Sequence, residues 1–186
     1  MNLHLSEKIQ LSPIVEKDTD LLFELMENIY KEAYQDFWQD RGDWYLNLIY
    51  NKENIKKEIA RERTHYFFVS WENERVGILK YDFPFSPREI HIPNAMKLHR
   101  LYLSSRTHGQ GVAKELMIHI EQVAKNNQLD SIWLEAMVSK AQAKRFYEKC
   151  GYQKIFEYSL DFEKLKDEYR QIQIMKKDLN ISENPQ

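Results

Sequence analysis

The chain has 186 residues, 42% hydrophobic, 13% aromatic and 30% charged; that much apolar surface excludes disorder along the whole length, and the size suits one compact domain burying roughly 70% of its unfolded surface. Twenty-seven Lys and Arg against 29 Asp and Glu give a net charge of −2, so no overall field draws the chain to nucleic acid or to an anionic membrane. The single cysteine, Cys150, excludes an internal disulfide and a Cys-based zinc site. Met1 to Ser12 carries His4, Glu7, Lys8 and Gln10 where a signal peptide needs an apolar core, and no apolar run approaches the roughly 20 residues of a membrane span. The expectation is a cytoplasmic protein without nucleic-acid or membrane partners, with one domain over 1–180 and a flexible tail at 181–186.

In chain order, Lys8 to Val15 reads as a strand closed by Pro13, followed by the helix caps Asp18, Thr19 and Asp20. Leu21, Leu22, Leu25, Met26, Ile29 and Tyr30 then recur at helical spacing. Gln35 to Tyr45 breaks the period at Gly42 and mixes acids with aromatics, as a pocket-lining loop would, before Asn51 or Asn54 opens a charged helix to about Arg63. His65 to Trp71 and Arg75 to Phe83, separated by Glu72-Asn73-Glu74, read as a hairpin, and Met96 to Leu103 as the next strand. The insertion Phe83 to Ile92 fits a lid or a homodimer contact equally.

From Val112 the stripe Val112, Leu116, Ile120, Val123 and Ala124 predicts a helix ending at Asn126-Asn127. Ser131 to Met137 reads as a buried strand, Lys140 to Cys150 as a helix with Gly151 behind it, and Tyr152 to Leu160 and Arg170 to Lys177 as closing strands. Strand, helix, strand, helix implies a parallel strand pair with a right-handed crossover. The fold class is α/β, with antiparallel hairpins flanking a parallel core.

The junction at residues 104–114 holds the chemistry: Gly109 and Gly111 let the backbone approach a ligand, and free N–H groups at a helix start favour phosphate. Spacing alone also fits a plain strand-to-helix turn. A second segment, Ala143 to Tyr152 with Phe146-Tyr147 and Gly151-Tyr152, follows the next strand. With both segments in this order, residues 65–177 resemble the GNAT superfamily of acyl-CoA-dependent N-acetyltransferases, nearest to the diamine and polyamine type. The family's cofactor signature, Gln or Arg, two residues, Gly, one residue, then Gly or Ala, aligns to His108, Gly111 and Ala113; its aromatic-Tyr and Gly-aromatic signature aligns to Phe146-Tyr147 and Gly151-Tyr152.

The resemblance implies a GNAT-like mixed sheet with a splayed parallel strand pair and flanking helices. It implies acetyl-CoA as cosubstrate, with the backbone of Leu101, Tyr102 and Leu103 holding the pantetheine arm. The N–H groups of Gly109, Gln110, Gly111, Val112, Ala113 and Lys114 would hold the pyrophosphate. Tyr147 would protonate the departing thiolate; an ordinary core aromatic is its other reading. His108 and Lys140 depart from the family's Gln or Arg and Asn, yet both can donate to the cofactor; Lys140 equally fits a solvated first-turn residue. Glu135 matches the base of the ribosomal-protein alanine acetyltransferases, and burial would raise its pKa. His99 is the alternative base or a structural histidine.

No His-x-x-x-His or acid cluster suggests a metal. Cys150 reads as a packed small side chain. In the resemblance the loop 34–50 lines the acceptor groove, and Asp36, Asp40 and Asp43 among Phe37, Trp38 and Trp44 would attract a cationic amine such as a polyamine; a solvated edge with buried rings is the alternative. The expected activity is direct transfer of an acetyl group from acetyl-CoA to a primary amine of a small molecule, peptide or protein. A catalytically inactive acyl-CoA-binding module of the same fold is the alternative.

Overall fold

A computed structural model describes residues 2–179, so the tail expected at 181–186 lies outside the described residues. The elements in order are β1 (Leu3–His4), β2 (Ile9–Pro13), α1 (Thr19–Tyr34), α2 (Asp43–Ile49), α3 (Lys52–Ile59), β3 (Thr64–Trp71), β4 (Glu74–Asp82), β5 (Ala95–Leu103), α4 (Val112–Asn126), β6 (Ser131–Met137), α5 (Ala141–Lys149), β7 (Gln153–Ser159) and β8 (Gln171–Asp178). The strands form one sheet in the order β1-β2-β3-β4-β5-β6-β8-β7. Every neighbouring pair is antiparallel except β5 and β6.

Local chemistry explains most boundaries. The β3–β4 turn has Glu72 and Asn73 at φ +49° and +67°, the left-handed pair that matches the twist of a two-residue hairpin. Asn51, one of the two caps expected, opens α3 by accepting from the Asn54 N–H at 2.9 Å. Helix α2 falls inside what the periodicity reads as loop: it is only seven residues long, too short to show a repeat. Its start is made by Asp40, whose carboxylate takes the Gly42 N–H at 3.1 Å and the Trp44 N–H at 2.7 Å.

Helices cover both sheet faces. On one, Val112, Leu116, Met117 and Ile120 of α4 pack on Met96, Leu98, Ile132 and Leu134 of the parallel pair, with Phe146 and Tyr147 of α5 against the same cluster. On the other, Leu22, Met26 and Tyr30 of α1 and Ile55 of α3 cover Tyr66, Phe68 and Ile78. The segment between β4 and β5 closes the rest of that face: Phe85, Ile90 and Ile92 sit on Trp133 and Ile174. The Trp133 indole donates to Phe85 O at 2.6 Å.

Beneath α3 the sheet carries charges rather than hydrocarbon. Arg100 forms a two-pronged pair with Glu58, at 2.5 and 2.8 Å, and both residues are at least 91% buried. Lys80, fully buried, lies 3.3 Å from Asp82. Removing one partner of such a pair strands the other charge in a medium that cannot solvate it. We therefore expect Glu58→Ala to cost about 3–5 kcal/mol in urea denaturation, and Glu58→Met with Arg100→Met to recover most of it. A loss under about 1 kcal/mol for Glu58→Ala would mean that Arg100 is solvated in the folded chain.

Candidate functional site

The site begins where two strands part. Strands β5 and β6 pair from Ala95↔Ser131 to Leu98↔Leu134, and the ladder ends there. Beyond that point β5 follows β4 to Leu103, and β6 follows β8 to Met137. The facing backbone of Leu101, Tyr102 and Leu103 borders the resulting wedge. At the parting point β5 has one residue more than β4, because Lys80 faces Arg100 while Tyr81 faces Leu98. His99 is that extra residue. A bulge of this kind breaks the alternation of side chains and re-aims them.

A cavity of about 200 Å³ occupies the wedge, with His99, Tyr102, Glu135, Lys140 and Tyr147 on its lining. Six of the predicted catalytic and cofactor residues, His99, Leu101, Tyr102, Glu135, Lys140 and Tyr147, meet here. Leu103 ends β5 outside the lining, and the remaining predicted cofactor residues, 108–114, lie at or beside the start of α4. Gly111 is the N-cap of α4 and no side chain caps the helix. Gly109 and Gly111 have φ of +73° and +80°, and a Cβ on either would meet no atom within 4 Å. The space before the turn is open.

Among the described residues, the N–H groups of Gly109, Gly111, Val112, Ala113 and Lys114 have no acceptor within the chain. Gln110, expected in the same role, gives its N–H to Thr107 O at 3.1 Å. It is drawn away by the 3₁₀ turn at Ser105–Thr107. His108 likewise spends its N–H on Ser105 O at 2.9 Å, and its side chain is exposed beside the turn. Five free amides at the positive end of a helix suit an anion with several oxygens, such as a diphosphate.

Tyr147 projects from α5 onto the cavity. Burial pushes its hydroxyl well above the usual tyrosine range, with Tyr34 and Cys150 adding to the effect. The group therefore keeps its proton at neutral pH and can serve as a donor. Burial also raises the Cys150 thiol, which leaves it a poor nucleophile. Lys140 is the N-cap residue of α5, but its side chain reaches back across the cavity. Its Nζ donates to Ala33 O at the end of α1 and stands 4.5 Å over the Tyr34 ring and 4.9 Å over Phe37.

Glu135 is not the unaccompanied buried carboxylate expected. Lys97 Nζ lies 2.9 Å from Oε2, and the Tyr158 hydroxyl donates to Oε1 at 2.8 Å. His99 lies deeper. Its Nε2 is 3.0 Å from Asp82 Oδ2, off the line that a hydrogen bond needs. Burial, with Lys80 and Lys97 nearby, outweighs the Asp82 carboxylate and lowers the ring to about 4, so His99 is neutral at pH 7. Burial would raise Asp82, yet His99 and Lys80 hold it well below the usual carboxylate range. Lys80, Asp82, Lys97 and Tyr158 were not expected at the site; for the first three the available signal was charge inside largely apolar strands, and for Tyr158, on the mostly exposed β7, the sequence offers none.

The loop 35–45 meets the β7–β8 connection. Trp38 bridges Leu165, Phe37 stacks on Tyr169 at 4.0 Å, and Trp38 and Trp44 pack on Phe162. The rings are in place as expected, but two of the three acids are engaged. Asp40 caps α2, Asp43 pairs with Lys31 at 2.7 Å, and the exposed Asp36 lies off the cavity lining. Among the described residues no three His, Cys, Asp or Glu side chains converge as a metal site, and no helix is long and apolar enough to cross a membrane.

A family model described as "Acetyltransferase (GNAT) family" matches residues 23–152. An uncharacterized N-acetyltransferase in the pepI 3′ region of Lactobacillus delbrueckii subsp. lactis is 25% identical over 114 residues, 61% of this chain and 66% of that relative. The chain thus matches slightly less than two thirds of the curated relative's length. In fold it is similar to the PaiA N-acetyltransferase of Thermoplasma acidophilum in complex with coenzyme A (TM-score 0.69, 19% identity, 92% of this chain and 99% of the other). It is also similar to the spermidine N-acetyltransferase of Vibrio cholerae in complex with CoA and spermine (TM-score 0.66, 16% identity, 93% and 96%).

The depressed His99 value has a consequence for stability. A ring that titrates near 4 when folded and near 6.5 when unfolded contributes fully above pH 6.5, and that contribution is lost as pH falls from 6.5 to 4. The expected loss is up to about 3 kcal/mol. Urea denaturation from pH 7 to 4 should show it as a slope that is shallower in His99→Gln. His65 and His119, also lowered by burial, remain in both proteins. Equal slopes would place His99 in water.

Proposed function

The chain belongs to the GNAT family of acetyltransferases, and from that premise we propose that it transfers an acetyl group from acetyl-CoA to the primary amine of a small molecule or peptide within a ternary complex. The observation that carries the reading is the conjunction of five free amides at the start of α4 with a strand wedge that ends on Tyr147. Gly109, Gly111, Val112, Ala113 and Lys114 would bind the diphosphate. The backbone of Leu101 to Leu103 would align the pantetheine arm as an added strand, directing the thioester into the cavity.

The acceptor nitrogen, as the neutral amine, attacks the thioester carbon and the C–S bond breaks. Tyr147 gives its proton to the departing sulfur. The nitrogen sheds its own proton toward Glu135, directly or through water. His99, already neutral, is the second candidate for that proton. Of the three loop acids expected to attract a cationic amine, Asp40 and Asp43 have structural partners, which leaves Asp36 alone available at the edge of the loop.

Tyr147→Phe should retain acetyl-CoA binding in calorimetry and lose about 10²–10⁴-fold in turnover, read as thiol release with a responsive amine; undiminished turnover would remove Tyr147 from the reaction. Gly111→Val should abolish acetyl-CoA binding, because valine resists φ near +80° and its branches enter the open space before the amides. Normal binding by that variant would move the cofactor elsewhere on the protein.

A further inference from the structure

Charge on the cavity wall narrows the acceptor. Four ionisable groups other than tyrosine line it: His99, Arg100, Glu135 and Lys140. His99 is uncharged at pH 7. Arg100 is matched by Glu58 and Glu135 by Lys97. Behind His99, Lys80 and Asp82 cancel. Lys140 is left. Among the described residues no carboxylate stands within 4.0 Å of its Nζ; a neutral carbonyl, Ala33 O, and two ring faces hold it. Burial lowers the Lys140 ammonium below the usual lysine range, and Asp36, outside the lining and more than 4.0 Å away, only partly offsets this. Among the described residues, Lys140 is thus the one charged group of the lining without an ion-pair partner.

That sign matters for an amine acceptor. A polyamine brings two or more ammonium groups and would meet Lys140 as a like charge in a half-enclosed space, where repulsion is weakly screened. An amine that also bears a carboxylate brings the missing partner, and an ammonium has three donors, of which the carbonyl occupies one. The rest of the wall is apolar, with rings such as Tyr34, Trp38, Tyr45 and Phe162 beside aliphatic Leu160, Leu165 and Ile172. About 200 Å³ lies below the roughly 300–1,000 Å³ of drug-sized pockets, which favours one small body over a polymer.

We propose, on the reading that the chain is an acetyltransferase, that its acceptor is a small amine carrying a carboxylate on an aromatic or aliphatic body, as in an apolar amino acid, and that Lys140 selects it by pairing with that carboxylate. Lys140 is a specificity residue in this scheme. Its side chain exchanges or shares the Ala33 carbonyl for the incoming carboxylate, while the amine lies toward Glu135 and His99.

L-Phenylalanine, phenethylamine and spermidine form the test set, since the first two differ only by the carboxylate. In the wild-type protein kcat/KM for phenylalanine should exceed that for phenethylamine and for spermidine by on the order of 10-fold or more. Lys140→Met should erase the phenylalanine–phenethylamine difference, and Lys140→Glu should reverse it. Each ratio is taken within one variant, so any effect on acetyl-CoA divides out. A preference for spermidine or phenethylamine in the wild type, or a ratio unmoved by Lys140→Met, overturns the proposal. Calorimetric binding of the same three compounds separates it from the activity itself: Lys140-dependent preference for phenylalanine without turnover supports the pairing while the transferase reading fails, and no such preference sinks the pairing.

Discussion

Opposite Lys80 and Tyr81 the fifth strand carries one residue too many, and the protein holds that irregularity open with buried charge. The bulge turns both His99 and Arg100 toward the α3 side of the sheet. Arg100 meets Glu58 and His99 meets Asp82, so slipping back into regular alternation would drive a guanidinium into the hydrocarbon packed under α4. Desolvating an unpaired ion is expensive enough to forbid that register. The strand is thereby committed to leave its parallel neighbour after Leu98. The wedge, the cavity and the free backbone edges are consequences of that departure.

From this one geometry the two halves of a transfer reaction receive different kinds of surface. The side toward α4 is backbone: amides that no described residue uses and glycines that keep the approach clear. In the proposed binding mode, recognition by main chain would tolerate His108 in place of the family's Gln or Arg, since the side chain would not be what holds the phosphate. The side toward α1 and the β7–β8 connection is made of side chains, mostly rings locked in stacks, with charges cancelled in pairs up to Lys140. In the proposed reaction, cofactor recognition would therefore rest on main chain and acceptor recognition on a few side chains.

The acids of the loop 35–45 show how composition misleads. Asp36, Asp40 and Asp43 among aromatic residues look like a cation trap when their partners are unknown. Folding gives Asp40 to the amides of α2 and Asp43 to Lys31. Helix α2 itself was hidden in the same stretch, because seven residues are too few for a helical repeat to register and its start depends on Asp40 rather than on periodicity. The segment 83–94, open between lid and contact surface in the sequence, is seated by Phe85 and Ile92 on Trp133 and Ile174.

The elements whose signals are local were determined by the sequence alone: the hairpin around Glu72-Asn73, the α4 stripe behind two glycines, the apolar strand at 131–137, and the order strand, helix, strand, helix that requires one parallel pair. So was the family, since its motifs are local strings in that order. Tertiary structure alone decided which charges cancel. Glu58 and Arg100 are 42 residues apart, and Lys140 and Ala33 are 107 apart. A periodic pattern reports which face of a segment is buried, but it carries no information about what a charged side chain meets across the core. For that reason the glycine turn before α4 was legible in residue order, while the environment of Glu135, the neutrality of His99 and the unpaired charge of Lys140 emerged only when distant segments were brought together.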